Sequence, residues 1–346
     1  MHGQYNTRMD TLARNIAAFI AEDPSGSTED PFNTLALELF ARQYERNEVY
    51  RRLCESLDVT PGSIDHWRMI PATPSQAFKL FTLSCAPPEE VVSVFHSSGT
   101  TLREAGKHSM DADALALYEA SLAHGFARGI PSANGLPIWA MMPAPDAAPH
   151  SSLSHMLGAL RAERFYWDRD SELSSDLARV ERPIVLFGTA FAFVGLFDAS
   201  TDAWSLPPGS VVIETGGFKG RTREVAREEL YGMFRDRLGV PIESCYSEYG
   251  MSEMASQFYS RGLDPVKRGP HWVRTAAIDP VTGAEAQAGQ PGLLTHFDLA
   301  NFNSVMAVQT EDMGILGADG FTLRGRASDT ELRGCSLTVE ELWARQ

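Results

Sequence analysis

Apolar and charged positions alternate at helical spacing in the first ninety residues. Residues 30–57 carry an apolar side chain every three or four positions, with charges between them, at Phe32, Leu35, Leu39, Phe40, Tyr44, Val49, Leu53 and Leu57. Pro61, Pro71 and Pro74 then divide the following stretch into short pieces. The pattern predicts a helical N-terminal region over residues 1–90.

From about residue 90 the pattern changes to short apolar runs separated by amphipathic segments. The runs are residues 91–98, 136–142, 182–191, 209–217 and 241–250. Between the last two runs, one helical face is formed by Ala226, Leu230, Met233, Phe234 and Leu238, with Thr222 able to cap its start and Gly239 its end. Strand, helix and strand in this order predict an α/β sheet with crossover connections, and the turn-rich runs after residue 290 predict a small β-rich subregion.

Charge and cysteine usage exclude several classes of protein. The 346 residues carry a formal net charge of -15 and include only four lysines, which argues against a general nucleic-acid or anionic-membrane surface. No apolar run has the length of a signal peptide or a membrane span, so we expect a cytoplasmic protein. The four cysteines are far apart and lack metal-ligand spacing, so any thiol chemistry belongs to a single cysteine.

Four hydroxyl side chains surround one glycine in the stretch VFHSSGTT at residues 94–101. Ser97, Ser98, Thr100 and Thr101 can donate to anionic oxygens, and Gly99 keeps the backbone N–H groups approachable. The loop therefore suits phosphate, although it lacks the GxxxxGK[ST] spacing of a P-loop. The alternative is a polar turn without a ligand, because such turns are common after strands.

The pentapeptide YGMSE follows the last of the apolar runs. Tyr249 offers a ring for stacking on a base, Gly250 a close backbone approach, Ser252 a phosphate contact and Glu253 a ligand for Mg²⁺. A purely structural turn remains the alternative for this segment.

Five further residues suit a nucleotide. Gly216 and Gly217 let the backbone lie flat against a planar ring, and Lys219 adds a cation to the same turn. Asp312 can accept from two ribose hydroxyls, and Arg326 suits a phosphate. Taken singly, the glycine pair is equally compatible with an ordinary strand-to-helix turn. Asp312 and Arg326, taken singly, are more typical of solvated surface charges.

The order of these motifs resembles that of the adenylate-forming acyl-activating enzymes. A Ser/Thr/Gly loop, a glycine pair, YGxSE, an Asp before Gly and GRxxD follow one another along the chain. Within that superfamily the sequence resembles the acyl-protein synthetases of the LuxE family, through PHSSLSHM at 149–156, ETGGFKGR at 214–221 and ELRGCSLTVEELW at 331–343. The resemblance extends from about Pro71 to the C-terminus.

This resemblance implies an α/β fold with sheets and flanking helices, like the N-terminal domain of adenylate-forming enzymes. The α/β core would cover residues 91–325, and a short tail over residues 326–346 would carry Cys335. ATP and Mg²⁺ would be the cofactors. The implied contacts are phosphate for Ser97, Ser98, Gly99, Thr100 and Thr101, adenine for Gly216, Gly217 and Tyr249, α-phosphate for Ser252, metal for Glu253, ribose for Asp312, and ribose or phosphate for Arg326.

The sequence departs from the larger superfamily after the GRxxD motif. In that superfamily a separate C-terminal domain supplies a lysine, whereas this sequence ends twenty residues after Arg326 with no lysine after Lys267. We therefore expect a truncated C-terminal domain. Lys219, Lys107 or an arginine would supply the missing positive charge.

The resemblance also assigns a role to Cys335. In the LuxE family a cysteine near the C-terminus accepts the acyl group and passes it to a partner reductase, and Cys335 lies where that residue is expected. A thiolate is a good nucleophile toward an acyl-adenylate. The expected function is therefore activation of a carboxylic acid, with a fatty acid as the expected class, followed by transfer to Cys335 and delivery to an acyl reductase.

Two other functions remain open at this level. One is a coenzyme A ligase of the phenylacetate type, and the other is a noncatalytic nucleotide-binding subunit of a reductase complex. The apolar group Phe187, Ala190, Phe191, Phe193 and Val194 is compatible with an acyl pocket or with core packing. His96, beside the hydroxyl-rich loop, is compatible with a ligand contact or with a structural role.

Overall fold

The computed structural model describes residues 9–24, 26–97, 105–216 and 225–327. In the N-terminal region, residues 11–56 are largely helical, as the periodicity predicted, whereas residues 57–90 contain only single 3-10 turns, one short strand and one four-residue helix. The elements of this region are α1 (Thr11–Ala21), α2 (Glu29–Arg46), α3 (Glu48–Ser56), β1 (Thr73–Pro74) and α4 (Ala77–Leu80).

A mostly parallel sheet occupies the middle of the chain. Its strands and helices are β4 (Ile138–Met141), α6 (Ser152–Ala159), β5 (Arg164–Phe165), α7 (Asp170–Leu177), β6 (Val185–Thr189), α8 (Ala190–Ala199), β7 (Val211–Thr215), α9 (Arg227–Leu238), β8 (Cys245–Tyr249) and β9 (Phe258–Arg261). The strand order is β5-β4-β6-β7-β8-β9, and only β9 runs antiparallel to its neighbour. The predicted strand–helix–strand crossover is confirmed by β7, α9 and β8.

Both faces of this parallel sheet are buried. Ile184 and Leu186 point into one apolar cluster with α8 and α9, whereas Val185 and Phe187 point into another. The alternation follows from the two-residue period of a strand, and burial on both sides explains why these strands are continuous apolar runs. Helix α9 ends at Gly239, as predicted, with a φ of 68° and its N–H donating to the Arg235 carbonyl.

A second, antiparallel sheet contains the β-rich segment predicted after residue 290. Its strands are β10 (Val266–Lys267), β11 (Val273–Ile278), β12 (Gly292–Asp298), β13 (Ala307–Leu316) and β14 (Phe321–Arg326), in the order β10-β14-β13-β12-β11. Strand β1 joins it by pairing parallel to β13. Trp67 also packs edge-on against Phe297 of β12, with ring centroids 4.8 Å apart. The N-terminal helical region therefore covers one side of this sheet.

The strand before the hydroxyl-rich loop belongs to neither large sheet. Strands β2 (Ser93–His96) and β3 (Lys107–Met110) form an antiparallel hairpin, and α5 (Ala112–Gly129) follows. Residues 98–104, which connect the two strands, lie outside the described residues. None of the described helices combines the length and the hydropathy that a membrane span needs.

Candidate functional site

The motif residues meet where the parallel sheet faces the antiparallel sheet. Tyr249, the last residue of β8, donates a hydrogen bond of 2.9 Å from its hydroxyl to the Asp312 carboxylate in β13. Arg326 pairs with Asp312 in the β13–β14 ladder, and its Nε lies 3.6 Å from Asp312 Oδ1. The Arg326 side chain is 72% exposed, so its guanidinium is available to a ligand.

Gly216 lies directly after β7, at the same edge of the parallel sheet as Tyr249. Thr215 pairs with Glu248 in the β7–β8 ladder, so Gly216 and Tyr249 end neighbouring parallel strands. Gly216 has a φ of 68°, and a Cβ placed on it would meet no heavy atom of the described residues within 4 Å. The carboxyl ends of parallel strands are the usual binding edge of an α/β sheet. The open backbone at Gly216 leaves room there for a planar ring.

The mouth of the β2–β3 hairpin lies beside Glu253. The Ser97 N–H donates to the Gly106 carbonyl over 2.9 Å, and the Gly106 N–H donates to Ser97 Oγ over 2.7 Å. A Cβ on Gly106 would lie 3.0 Å from Ser97 Oγ and 3.2 Å from Glu253 Oε1. Only a residue without a side chain fits here easily, so this glycine lets the carboxylate approach the base of the hydroxyl-rich turn.

The Glu253 carboxyl group is only 6% exposed. Burial raises its pKa, while the nearby Lys79 ammonium and a hydrogen bond from Ser97 act in the opposite direction. Within the described residues, no cation lies within ion-pair distance of Glu253, and no three acidic, histidine or cysteine side chains form a metal cluster. A single buried carboxylate beside Ser97 fits Mg²⁺, which is commonly held by one or two carboxylates together with substrate phosphates and water.

Ser252, in the YGMSE loop, contacts the segment PHSSLSHM at residues 149–156. Its hydroxyl donates to the His96 carbonyl over 3.1 Å and lies 3.2 Å from Ser152 Oγ. The His96 and His150 rings are stacked with centroids 4.3 Å apart. His96 therefore has packing and backbone roles that the sequence left open. His150 and Ser152 thus lie beside His96 and Ser252, and in the sequence only the family resemblance pointed to their segment.

Buried polar groups hold the YGMSE loop from behind. His108 Nδ1 lies 2.8 Å from the Ser252 carbonyl, and its Nε2 lies 3.0 Å from Ser304 Oγ. Burial lowers the pKa of His108 to about 4, so the ring is neutral at physiological pH. Asn301 Nδ2 donates to the Glu253 carbonyl over 2.9 Å. The loop that carries Ser252 and Glu253 is thus fixed by groups from β3 and from the segment after β12.

Two buried carboxyl groups, those of Glu214 and Glu248, lie one residue before the ends of β7 and β8. Burial raises the pKa of Glu248 to about 7, and the Thr215 hydroxyl donates to its carboxylate. Burial lowers the pKa of Lys267 to about 8, although Glu214 and Glu248 favour its charged form, and its ammonium donates to the Ser247 carbonyl over 3.0 Å. This lysine is consequently already engaged inside the protein.

Several predicted site residues lie outside the described residues. These are Ser98, Gly99, Thr100, Thr101, Gly217, Lys219 and Cys335. The predicted residues that are described lie at strand ends or in loops, except Asp312, which lies within β13. They are Ser97, Gly216, Tyr249, Gly250, Ser252, Glu253, Asp312 and Arg326. Their roles toward a ligand stay predictions.

The apolar group after β6 is largely core. Phe187, Phe193 and Val194 are fully buried, and the Phe193 ring packs against Phe234 of α9 with centroids 4.7 Å apart. Core packing therefore accounts for these side chains without an acyl ligand.

Comparisons with known proteins agree with this geometry. The family described as "Acyl-protein synthetase, LuxE" matches residues 168–344. No curated protein matches the chain. Among solved structures, 2-hydroxyisobutyryl-CoA ligase in complex with 2-HIB-AMP is 13% identical with a TM-score of 0.66, covering 89% of this chain and 72% of that chain.

Two other solved structures are also similar. An open conformation of the same ligase with 2-HIB-AMP and CoA has 14% identity and a TM-score of 0.64, and the match covers 89% of this chain and 75% of that one. ATP-bound MatB from Rhodopseudomonas palustris has 15% identity and a TM-score of 0.49, with 70% of this chain and 49% of that chain covered. The 2-hydroxyisobutyryl-CoA ligase structures show that the chain has the fold of adenylate-forming ligases, as the sequence predicted.

Proposed function

Because the chain belongs to the LuxE family of acyl-protein synthetases, we propose that it converts a carboxylic acid and ATP into an acyl-AMP and pyrophosphate. The acyl group then passes to Cys335 as a thioester. In enzyme terms this is an acid–thiol ligase, with a fatty acid as the expected substrate and an acyl reductase as the receiving partner.

The observation that supports adenylation most strongly is the meeting of distant motifs at one edge. Gly216, Tyr249 and Asp312 come from three strands, yet the Tyr249–Asp312 hydrogen bond and the β7–β8 register hold them together. In the proposed complex the adenine lies between Gly216–Gly217 and the Tyr249 ring. The ribose hydroxyls donate to Asp312, with Arg326 beside them.

The triphosphate would extend from the ribose toward the β2–β3 hairpin. Ser97 at the mouth of that hairpin and Ser252 beside His96 would contact it, and Ser98, Gly99, Thr100 and Thr101 would complete these contacts. Glu253 would hold Mg²⁺, whose charge stabilises the phosphate oxygens. A carboxylate oxygen of the substrate then forms a bond to the α-phosphorus, and the bond to the pyrophosphate oxygen breaks with its electron pair.

The burial of three of the four cysteines supports Cys335 as the acyl acceptor. Cys54, Cys85 and Cys245 are each at most 8% exposed, and burial raises the pKa of each thiol to about 12. The nucleophile in acyl transfer is the thiolate, so these three thiols are poor acceptors. Transfer to Cys335 breaks the acyl–phosphate bond, releases AMP and forms a thioester that keeps the acyl group activated.

The test is intact-mass spectrometry of the protein incubated with ATP, Mg²⁺ and a panel of fatty and aromatic acids. The expected result is an acid-dependent mass increase that hydroxylamine removes and that peptide mapping assigns to Cys335. Cys335→Ala should still release pyrophosphate but carry no adduct, whereas the matched control Cys245→Ala should keep the adduct. An adduct retained on Cys335→Ala would contradict the proposal.

Other outcomes would favour the other functions. Formation of acyl-CoA at an enzymatic rate, without a protein adduct, would indicate a coenzyme A ligase. Nucleotide binding without any acid-dependent exchange of pyrophosphate into ATP would indicate a noncatalytic subunit.

A further inference from the structure

A lysine that the motif series does not contain lies beside the proposed triphosphate site. Lys79 belongs to α4. The preceding residue, Phe78, is buried, and its Cβ packs against Gly106. A Cβ on Gly106 would lie 3.2 Å from Phe78 Cβ and 3.2 Å from Glu253 Oε1. Helix α4 therefore packs beside Gly106 at the mouth of the β2–β3 hairpin and close to Glu253, the candidate metal ligand.

A second contact fixes α4 from the other side. Gln76, just before the helix, donates from Nε2 to Glu311 Oε1 over 2.6 Å, and Glu311 precedes the ribose candidate Asp312. The backbone N–H of Ser75 also donates to the Gln309 carbonyl of β13 over 2.8 Å. These bonds attach the start of α4 to β13, while Phe78 packs against the hairpin mouth. Helix α4 therefore lies between β13 and the hairpin, where the proposed complex has the triphosphate.

The Lys79 side chain is exposed and has no fixed partner. Within the described residues, its ammonium makes no hydrogen bond and no ion pair within 4 Å, although it is close enough to Glu253 to favour that carboxylate electrostatically. An exposed ammonium on a well-anchored helix suits a bound anion.

The other lysines are placed less well for this task. Lys267 is buried, and its ammonium donates to the Ser247 carbonyl. Lys107 lies opposite His96 in the hairpin. Burial lowers the pKa of His96, and the charges of His150 and Lys107 lower it further. Lys219 lies outside the described residues. Lys107 and Lys79 are both exposed, but Lys79 is the described lysine whose charge most favours the Glu253 carboxylate.

We propose that the Lys79 ammonium contacts the triphosphate of bound ATP beside Glu253 and is a catalytic residue for adenylation. This inference rests on the proposed function. As the carboxylate attacks the α-phosphorus and the bond to pyrophosphate breaks, negative charge grows on the departing oxygens. An ammonium fixed at that place stabilises this charge more than it stabilises the ground state. Lys79 would thus supply the positive charge for which the sequence offered Lys219, Lys107 or an arginine.

The experiment compares wild type, Lys79→Met, Lys79→Arg and the charge-matched control Arg182→Met. Arg182 is exposed and paired with Glu163, away from the site. Lys79→Met should slow acid-dependent exchange of pyrophosphate into ATP about 100-fold, the usual loss when one transition-state donor is removed. Lys79→Arg should recover at least about a tenth of the wild-type rate because it keeps the charge. Arg182→Met should stay within about twofold of wild type.

A binding measurement separates phosphate contact from a merely structural role. Lys79→Met should weaken binding of α,β-methylene-ATP about tenfold, since a charge-assisted contact is lost, and should leave AMP binding within about twofold. The weakening should persist in EDTA, because it does not act through a metal on Glu253. A matched melting temperature for Lys79→Met and Arg182→Met would verify that both variants are folded.

The possible failures are distinguishable. Equal affinity of wild type and Lys79→Met for α,β-methylene-ATP would overturn the inference, whatever the exchange rate. A weakening that disappears in EDTA would also overturn it, because Lys79 would then act only through Glu253. A wild-type protein that binds the analogue but exchanges no pyrophosphate with any acid would contradict the proposed function, while the binding difference would still test the Lys79 contact.

Discussion

The Tyr249 hydroxyl donates a 2.9 Å hydrogen bond to the Asp312 carboxylate, and this bond joins the end of β8 in the parallel sheet to β13 in the antiparallel sheet. The Tyr249 ring also packs edge-on against Phe258 and Phe321, with centroids 5.9 Å and 5.4 Å away. A ring restrained by neighbours and by its hydroxyl has little freedom to turn. The proposed adenine and ribose contacts are therefore held at a fixed separation before any ligand arrives.

Replacing Asp312 should weaken nucleotide use. In Asp312→Ala we expect the KM for ATP in pyrophosphate exchange to rise about 10- to 100-fold, because hydrogen bonds from the ribose hydroxyls to a charged acceptor are lost. The maximal rate should change less, since the reacting phosphorus is not touched. Asp319→Ala removes the same charge from the exposed β13–β14 turn and should leave the KM unchanged. An unchanged KM in Asp312→Ala would remove Asp312 from the site.

Replacing His108 should disturb the YGMSE loop without touching a ligand. His108→Leu leaves the Ser252 carbonyl and the Ser304 hydroxyl without their buried partner, which should lower the free energy of unfolding by about 2–3 kcal/mol. His108→Asn, which keeps a side-chain donor, should lose less. Denaturant unfolding measures both variants. Equal stability of wild type and His108→Leu would show that this buried ring does not support the loop.

Glu248 should contribute a fall in the free energy of unfolding as the pH rises from about 4.5 to 7. Burial raises its pKa from 4.5 to about 7, with Glu214 adding to the rise and with Thr215 and Lys267 opposing it. In this interval the unfolded chain has released a proton that the folded chain still holds, so the Glu248 contribution to the free energy of unfolding decreases, by about 3 kcal/mol for the whole shift. Unfolding should be measured across this interval.

The buried His108 and His296, whose pKa values burial lowers to about 4 and about 3, contribute in the opposite direction, so the Glu248 part is measured as the difference between wild type and a variant. Glu248→Gln should remove that part of the pH dependence. The pH dependence that remains would combine a fall from Asp298, whose pKa burial raises to about 6, with the rise from His108 and His296. Glu228→Gln, a change of the same kind at an exposed position in α9, should behave like wild type. If Glu248→Gln and wild type showed the same slope between pH 5 and 7, Glu248 would not hold its proton in the folded state.

Local patterns in the sequence determined a large part of this protein. The apolar runs at 136–142, 182–191, 209–217 and 241–250 became β4, β6, β7 and β8, and Gly239 ends α9. These predictions succeed because a strand buried on both faces needs continuous apolar side chains and because a glycine accepts positive φ at a helix end. The order of the motifs along the chain likewise led to the family.

Pairing between distant segments was decided only by the tertiary structure. The run at 91–98 looked like the other strands, yet β2 pairs with β3 in a separate hairpin. Residues Thr73 and Pro74 lie in a region predicted as helical, yet they pair with β13. Apolar periodicity reports that a face is buried, but it does not report which segment covers that face.

The same reason explains why the sequence did not single out Lys79, the residue proposed here to contact the triphosphate. Lys79 and Glu253 are far apart along the chain, and a lysine after a proline-rich stretch is an ordinary surface residue until folding seats α4 beside the hairpin mouth. Phe193, conversely, is compatible with an acyl pocket in the sequence and is core in the structure because Phe234 of α9 covers it. Sequence determined which chemical groups are available, whereas packing decided which of them meet, since that depends on contacts between residues far apart in the chain.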